Sequence, residues 1–94
     1  MPYIAMIHPP QGASLWGVTF PDLPGCTSSG QSFEEASANA RDALSGHLAA
    51  MRADGDPIPS PRPLADILRD PEAGDEVAGA FPVVVAAMTA PAGV

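Results

Sequence analysis

The run Pro21-Asp22-Leu23-Pro24-Gly25-Cys26 constrains this chain more than any other feature. Each proline fixes φ and removes a backbone donor, so the run can neither continue a strand nor enter a helix. Residues 15–20 before it are mostly apolar, with Trp16, Val18 and Phe20 on one face, and read as a short strand. After it come Thr27, Gly30 and Ser32, and then Phe33-Glu34-Glu35-Ala36. The chain therefore leaves a strand, turns through a rigid loop, forms a brief edge strand over residues 26–30 and starts a helix.

The helix start carries its own signature. Ser32 is a capping residue and Glu35 stands three positions later, which makes a capping box; Glu34 and Glu35 also favour the positive end of the helix dipole. Phe33, Ala36, Ala40, Leu44, His47, Leu48 and Met51 recur at helical spacing and predict the buried stripe. Asp54-Gly55 predicts its end, with Gly55 as the cap. Prolines at 57, 59, 61 and 63 then impose a stiff, extended segment. Residues 64–70 predict a short second helix with Leu64, Ile67 and Leu68 on its apolar side, and residues 72–79 predict a loop.

Two further strands frame this middle. Residues 3–8 are apolar on both faces, which suits a central strand, and residues 81–88, with valines at 83, 84 and 85, predict the last one. The turn Pro9-Pro10-Gln11-Gly12 between the first two strands predicts an antiparallel hairpin. The expected architecture is α+β, in the order β-β-β-α-(α)-β, with a four-stranded mixed sheet of order 3-2-1-4. Strand four is expected beside strand one and parallel to it, and the main helix on one face only. The other face still carries apolar side chains, so it predicts either a subunit contact or cover by the second helix. Ninety-four residues bury only a small core, and a homodimer or higher oligomer is expected.

Charge narrows the partners. Eleven acids against four arginines, with no lysine, give a net charge of −7. That balance opposes contact with phosphate backbones and favours a basic protein partner. The sharpest acidic group is Asp66, Asp70, Glu72, Asp75 and Glu76, which reads either as a solvated face or as a docking surface. The lone Cys26 allows no internal disulfide and fits a reducing compartment. The start of the chain shows no basic segment followed by an apolar stretch, so a cytoplasmic location is expected.

Chemistry is harder to find. A β-β-β-α-β order is also the front half of a ribonuclease H fold, whose metals are held by carboxylates converging from strands. The first, second and fourth predicted strands contain no Asp or Glu. Cys26 has no histidine placed beside it by the sequence and reads as a small core residue. His47 falls on the helix stripe and reads as a packing residue, and His8 carries no functional signal. Ser28-Ser29-Gly30 reads as edge-strand usage in preference to an anion nest. The expectation is a chain that is not an enzyme and takes no cofactor or metal.

One resemblance accounts for these features together. Trp16-Gly17-Val18-Thr19-Phe20 running into Pro21–Cys26, followed by Gly30, Ser32, Glu35-Ala36, Asn39-Ala40 and Ala43, resembles the HicB antitoxin family. The join from Asp54-Gly55 to Ile58-Pro59, and Pro61-Arg62, are similar to it as well. The resemblance implies a degenerate ribonuclease H-like domain, lacking the catalytic acids, that binds and occludes a HicA-type RNA-cleaving toxin, a small basic protein. It implies a toxin-binding domain over residues 1–88, with a disordered tail over 89–94. Family members usually continue into a DNA-binding segment; no recognition helix is present in this sequence, so no DNA binding is expected of the chain as it stands. Asp22, Asp66, Asp70, Glu72, Asp75 and Glu76 are the candidate toxin contacts. The alternative is an orphan HicB-like oligomeric module with no toxin partner.

Overall fold

The computed structural model describes residues 2–12 and 15–87. Its sheet has four strands, β1 (Pro2–His8), β2 (Trp16–Thr19), β3 (Thr27–Gly30) and β4 (Phe81–Ala86), in the order β3-β2-β1-β4. The helices are α1 (Phe33–Asp54), α2 (Leu64–Arg69) and α3 (Gly74–Val77), with a 3-10 turn at Pro71–Ala73 between the last two. The tail expected over 89–94, and Met88 of the expected last strand, lie outside the described residues.

The strand order is the expected one, but the orientation of β4 is not. β4 pairs with β1 antiparallel, with Tyr3 opposite Val85 and Ile7 opposite Phe81, so every pairing in the sheet is antiparallel. The path of α1 gives the reason. Phe33, at its start, packs edge-on against Phe81 at the Ile7 end of β1, with ring centroids 6.2 Å apart. Just past its other end, the Pro59 carbonyl accepts the Tyr3 hydroxyl at 2.5 Å. α1 therefore runs opposite to β1 for about 33 Å. The proline segment, α2 and α3 carry the chain back along the molecule, and β4 enters beside Ile7.

α1 has the expected ends. Ser32 Oγ accepts from the Glu35 amide at 3.0 Å. Glu35 Oε1 accepts in turn from the Gln31 amide at 3.0 Å, one residue ahead of the usual partner. Gly55 closes the helix at φ 73°, with its amide on the Arg52 carbonyl and the Asp56 amide on that of Met51. The buried stripe is Ala36, Ala40, Leu44 and Leu48, with Phe33, Ala43 and Met51 at its margins. It packs on Tyr3, Ala5 and Ile7 of β1, on Val18 and Phe20, and on Val85. Leu44 and Leu48 are wholly buried and stabilise the fold by about 2 kcal/mol each.

The opposite sheet face is covered only in part: Met6 is buried, while Val84 is 67% exposed. Met6 points away from α1, by strand alternation, yet is 1% exposed. Pro61, Arg62 and Pro63 line an open groove of about 350 Å³ with Ile4 and Val84 of that face, and α2 starts from there. Ile67 is the buried residue of α2; Leu68, expected on its apolar side, is 56% exposed, and Leu64 is half-buried. Residues 72–79 are not one loop. Asp70 Oδ1 accepts the Glu72 amide at 2.9 Å and starts the 3-10 turn, in which Ala73 is buried, and α3 follows directly.

Candidate functional site

The loop that opens the sequence argument is built from two successive turns. The Leu23 amide bonds the Phe20 carbonyl, and the Cys26 amide bonds the Leu23 carbonyl, both at 3.0 Å. Gly25 takes φ 89°, a left-handed conformation that favours glycine. Leu23 and Cys26 turn inward and join the core. Burial pushes the Cys26 thiol up from its ordinary pKa, which keeps it protonated and unreactive at neutral pH.

Asp22 also faces the protein. Its side chain is 5% exposed, and both carboxylate oxygens are occupied by Arg62, Oδ1 by Nε at 2.5 Å and Oδ2 by the backbone amide at 2.7 Å. Arg62 Nη1 reaches Asp70 Oδ2 at 2.9 Å. One guanidinium thus ties the loop after β2 to the proline segment and to the end of α2, across 40 residues of sequence. The sequence places Asp22 in a loop; the structure makes it an internal brace. Arg62 was the residue whose role the sequence reading missed. Its only signal was being the one cation of the proline segment, just ahead of the acidic residues.

The acidic residues divide by environment. Glu72 and Glu76 line a small surface pocket of about 180 Å³ together with Asp70, Arg62, Pro21 and Pro24. Asp66 is half-exposed and 3.7 Å from Arg69, and Asp75 is exposed on α3. The structure thus brings Asp22, Asp70, Glu72 and Glu76 to one end of the molecule around Arg62. Asp66 and Asp75 stand on the same segment outside that pocket. His8 Nε2 and Thr19 Oγ1 are 3.0 Å apart, a hydrogen bond within the β1–β2 hairpin. Among the described residues, no group of three or more His, Cys, Asp or Glu is placed to hold a metal.

The brace has a pH signature. Its bond to Arg62, reinforced by the Glu72 amide, holds the Asp70 carboxyl below the usual carboxylate range. A folded-state value below the unfolded one stabilises above the unfolded value and loses that contribution as pH falls through the folded one. The window therefore lies below about pH 4. Asp70→Asn is expected to flatten the acid limb of the stability curve there, measured by urea unfolding from pH 7 downward; an unchanged acid limb would show that Asp70 is not linked to folding.

These features describe a small α+β domain whose polar side chains are spent on holding loops together and whose remaining acids face solvent. The family described as HicB-like antitoxin of bacterial toxin-antitoxin system matches residues 3–92, and the chain belongs to it. The fold agrees with solved antitoxins. It is similar to the antitoxin HicB of Burkholderia pseudomallei at TM-score 0.74 and 29% identity, covering 92% of this chain and 62% of that one. It is similar to a chain of the HicA3 and HicB3 toxin-antitoxin complex at TM-score 0.72 and 29% identity, covering 95% of this chain and 100% of that one. An uncharacterized 14.9 kDa protein in the rep-hol intergenic region of Haemophilus phage HP1 (strain HP1c1) is 38% identical over 58 residues, 62% of this chain and 44% of that protein. The chain thus spans less than two thirds of the phage protein and of the Burkholderia antitoxin. No helix among the described residues is long and apolar enough to cross a membrane.

Proposed function

We propose that this chain is the antitoxin of a type II toxin-antitoxin pair and blocks a HicA-type RNA-cleaving toxin by covering it, without catalysis of its own, in the cytoplasm. One observation carries this reading: a chain of a HicA3–HicB3 complex matches over its whole length, at an identity that supports more than a shared fold. Charge supports it independently. A protein that grips RNA needs basic groups, and a partner of net charge −7 is suited to mask them. The absence of Asp and Glu from β1, β2 and β4 supports inhibition by contact in preference to hydrolysis.

The docking surface we assign is the acidic segment that follows Arg62. Asp66, Glu72, Asp75 and Glu76 offer charge there, while Asp22 and Asp70 hold the segment in place and contribute negative field from behind Arg62. Reversing Asp66, Glu72, Asp75 and Glu76 to lysine is expected to slow association with the toxin by about tenfold or more at low salt. The loss should shrink at physiological ionic strength, where exposed charges are screened over about 8 Å. The partner for this measurement is a purified HicA-type toxin. Association rates that stay the same at low salt would remove the acidic segment from the interface.

A further inference from the structure

The sheet face turned away from α1 keeps an open groove of about 350 Å³. Its floor is Pro2 and Ile4 of β1 with Val84 of β4, and Ile4 and Val84 stand opposite each other in the strand register. Its wall is Pro61, Arg62 and Pro63. Of these six residues only Arg62 is polar, and its guanidinium is already taken up by Asp22 and Asp70. The groove therefore offers apolar surface without a free charge. Val84, on its floor, is the most exposed large apolar residue among those described. Apolar surface left open beside polar surroundings marks a binding site.

What stands next to the groove says what would cover it. Arg62 also lines the acidic pocket, with Asp70, Glu72 and Glu76. The two depressions share that residue, so apolar and acidic surface are continuous across it. A net charge of −7 opposes a nucleic acid here and draws a basic protein. A basic protein held on the acidic side brings its neighbouring side chains to the groove. The groove is stiff as well. Its floor lies on two hydrogen-bonded strands, and the prolines of its wall have a fixed φ and little rotamer freedom to lose. Filling it therefore orders little that is not already ordered.

We infer that this groove is the apolar anchor of the toxin interface: one large apolar side chain of the basic partner, standing beside its cationic ones, is buried between Ile4, Val84 and the proline wall. The inference rests on the toxin-binding reading above and adds a division of labour to it. The acidic segment sets how fast the partner arrives, and the groove sets how long it stays. Side chains filling apolar pockets, with polar groups around them, carry most of the binding energy of protein interfaces.

Binding kinetics against a purified HicA-type toxin test this. Val84→Glu and Pro2→Glu each set a carboxylate on the groove floor. Both add negative charge, so a surface that worked by charge alone would hold the basic toxin at least as well. A carboxylate facing a buried apolar side chain is costly, so dissociation is expected to quicken by about tenfold or more with association little changed. Val84→Ile keeps the floor apolar and should dissociate within about threefold of wild type. Both positions are exposed, so the variants should keep the wild-type circular dichroism spectrum. Pro2 lies on β1, away from the outer edge of β4, so an effect at both positions locates the contact in the groove. A toxin that leaves both glutamate variants at the wild-type dissociation rate overturns the inference and spares the toxin-binding reading. So does tighter binding by either variant, or an effect at Val84 alone, which would belong to the edge of β4. A wild-type chain that binds no such toxin removes the inference and the reading together.

Discussion

Gly30→Ala is expected to lower the melting temperature by on the order of 15 °C, the largest effect of any single methyl group added to this chain. A Cβ at Gly30 would lie 2.4 Å from the Ala36 amide nitrogen and 2.8 Å from the Ala36 Cα and the Glu35 carbonyl carbon. These are backbone atoms in the first turn of a capped helix, so no side chain can swing aside. β3 and α1 must separate, which also strains the Ser32 cap and the Asn39–Ser29 bond. Overpacking of this kind costs about 3 kcal/mol when relief requires backbone movement. Gly46→Ala is the control. It lies within α1 with nothing within 4 Å of the added carbon, and it should raise stability by about 0.5–1 kcal/mol through helix propensity. Melting curves in which both substitutions behave alike would show that β3 does not meet α1 closely.

Asp22→Ala is expected to destabilise by about 2 kcal/mol, or on the order of 10 °C in melting temperature. The substitution strips partners from the Arg62 amide and from Nε at once. Truncating one member of a buried pair costs about 3–5 kcal/mol. Arg62 keeps Asp70 and is 35% exposed, so water can take up part of what is lost and the lower figure applies. A double-mutant cycle with Arg62→Ala separates the pair from other losses: the coupling energy should exceed about 1 kcal/mol. Additive losses would mean that Asp22 and Arg62 stabilise the fold independently. Because the brace sets where the proline segment leaves the sheet, Asp22→Ala should also weaken toxin binding without Asp22 touching the toxin.

How far the sequence discloses this molecule follows from the range of each interaction. The ends of α1 are legible because Ser32, Glu35 and Gly55 act within a few residues of themselves. The strand order is legible because short loops join β1 to β2 and β2 to β3, which leaves β4 its place beside the apolar β1. The direction of β4 is not legible, since it depends on which end of the sheet residues 57–80 return to, and no local pattern records that. Leu68 reads as core by helical spacing, yet six residues of α2 bury only Ile67, so the stripe is narrower than its period allows. The polar, glycine-containing stretch 72–79 gives a weak helical signal, and its turns exist because Asp70 caps them. The burial of Asp22 depends on an arginine 40 residues away, beyond any spacing argument.

The same distinction applies to the site. The family is legible in the Pro21–Cys26 loop and the helix start, which are structural. The candidate acidic residues form no motif, and the placement of Asp70, Glu72 and Glu76 around one pocket appears only in three dimensions.

The central claim is inhibition by contact, and a titration tests it most directly. A purified HicA-type toxin is held at fixed concentration with a labelled RNA, and this chain is added in increasing amounts. The account predicts that cleavage falls to background near one equivalent per toxin, with the RNA itself untouched by the chain. Cleavage that continues undiminished at a large excess of folded chain would contradict it.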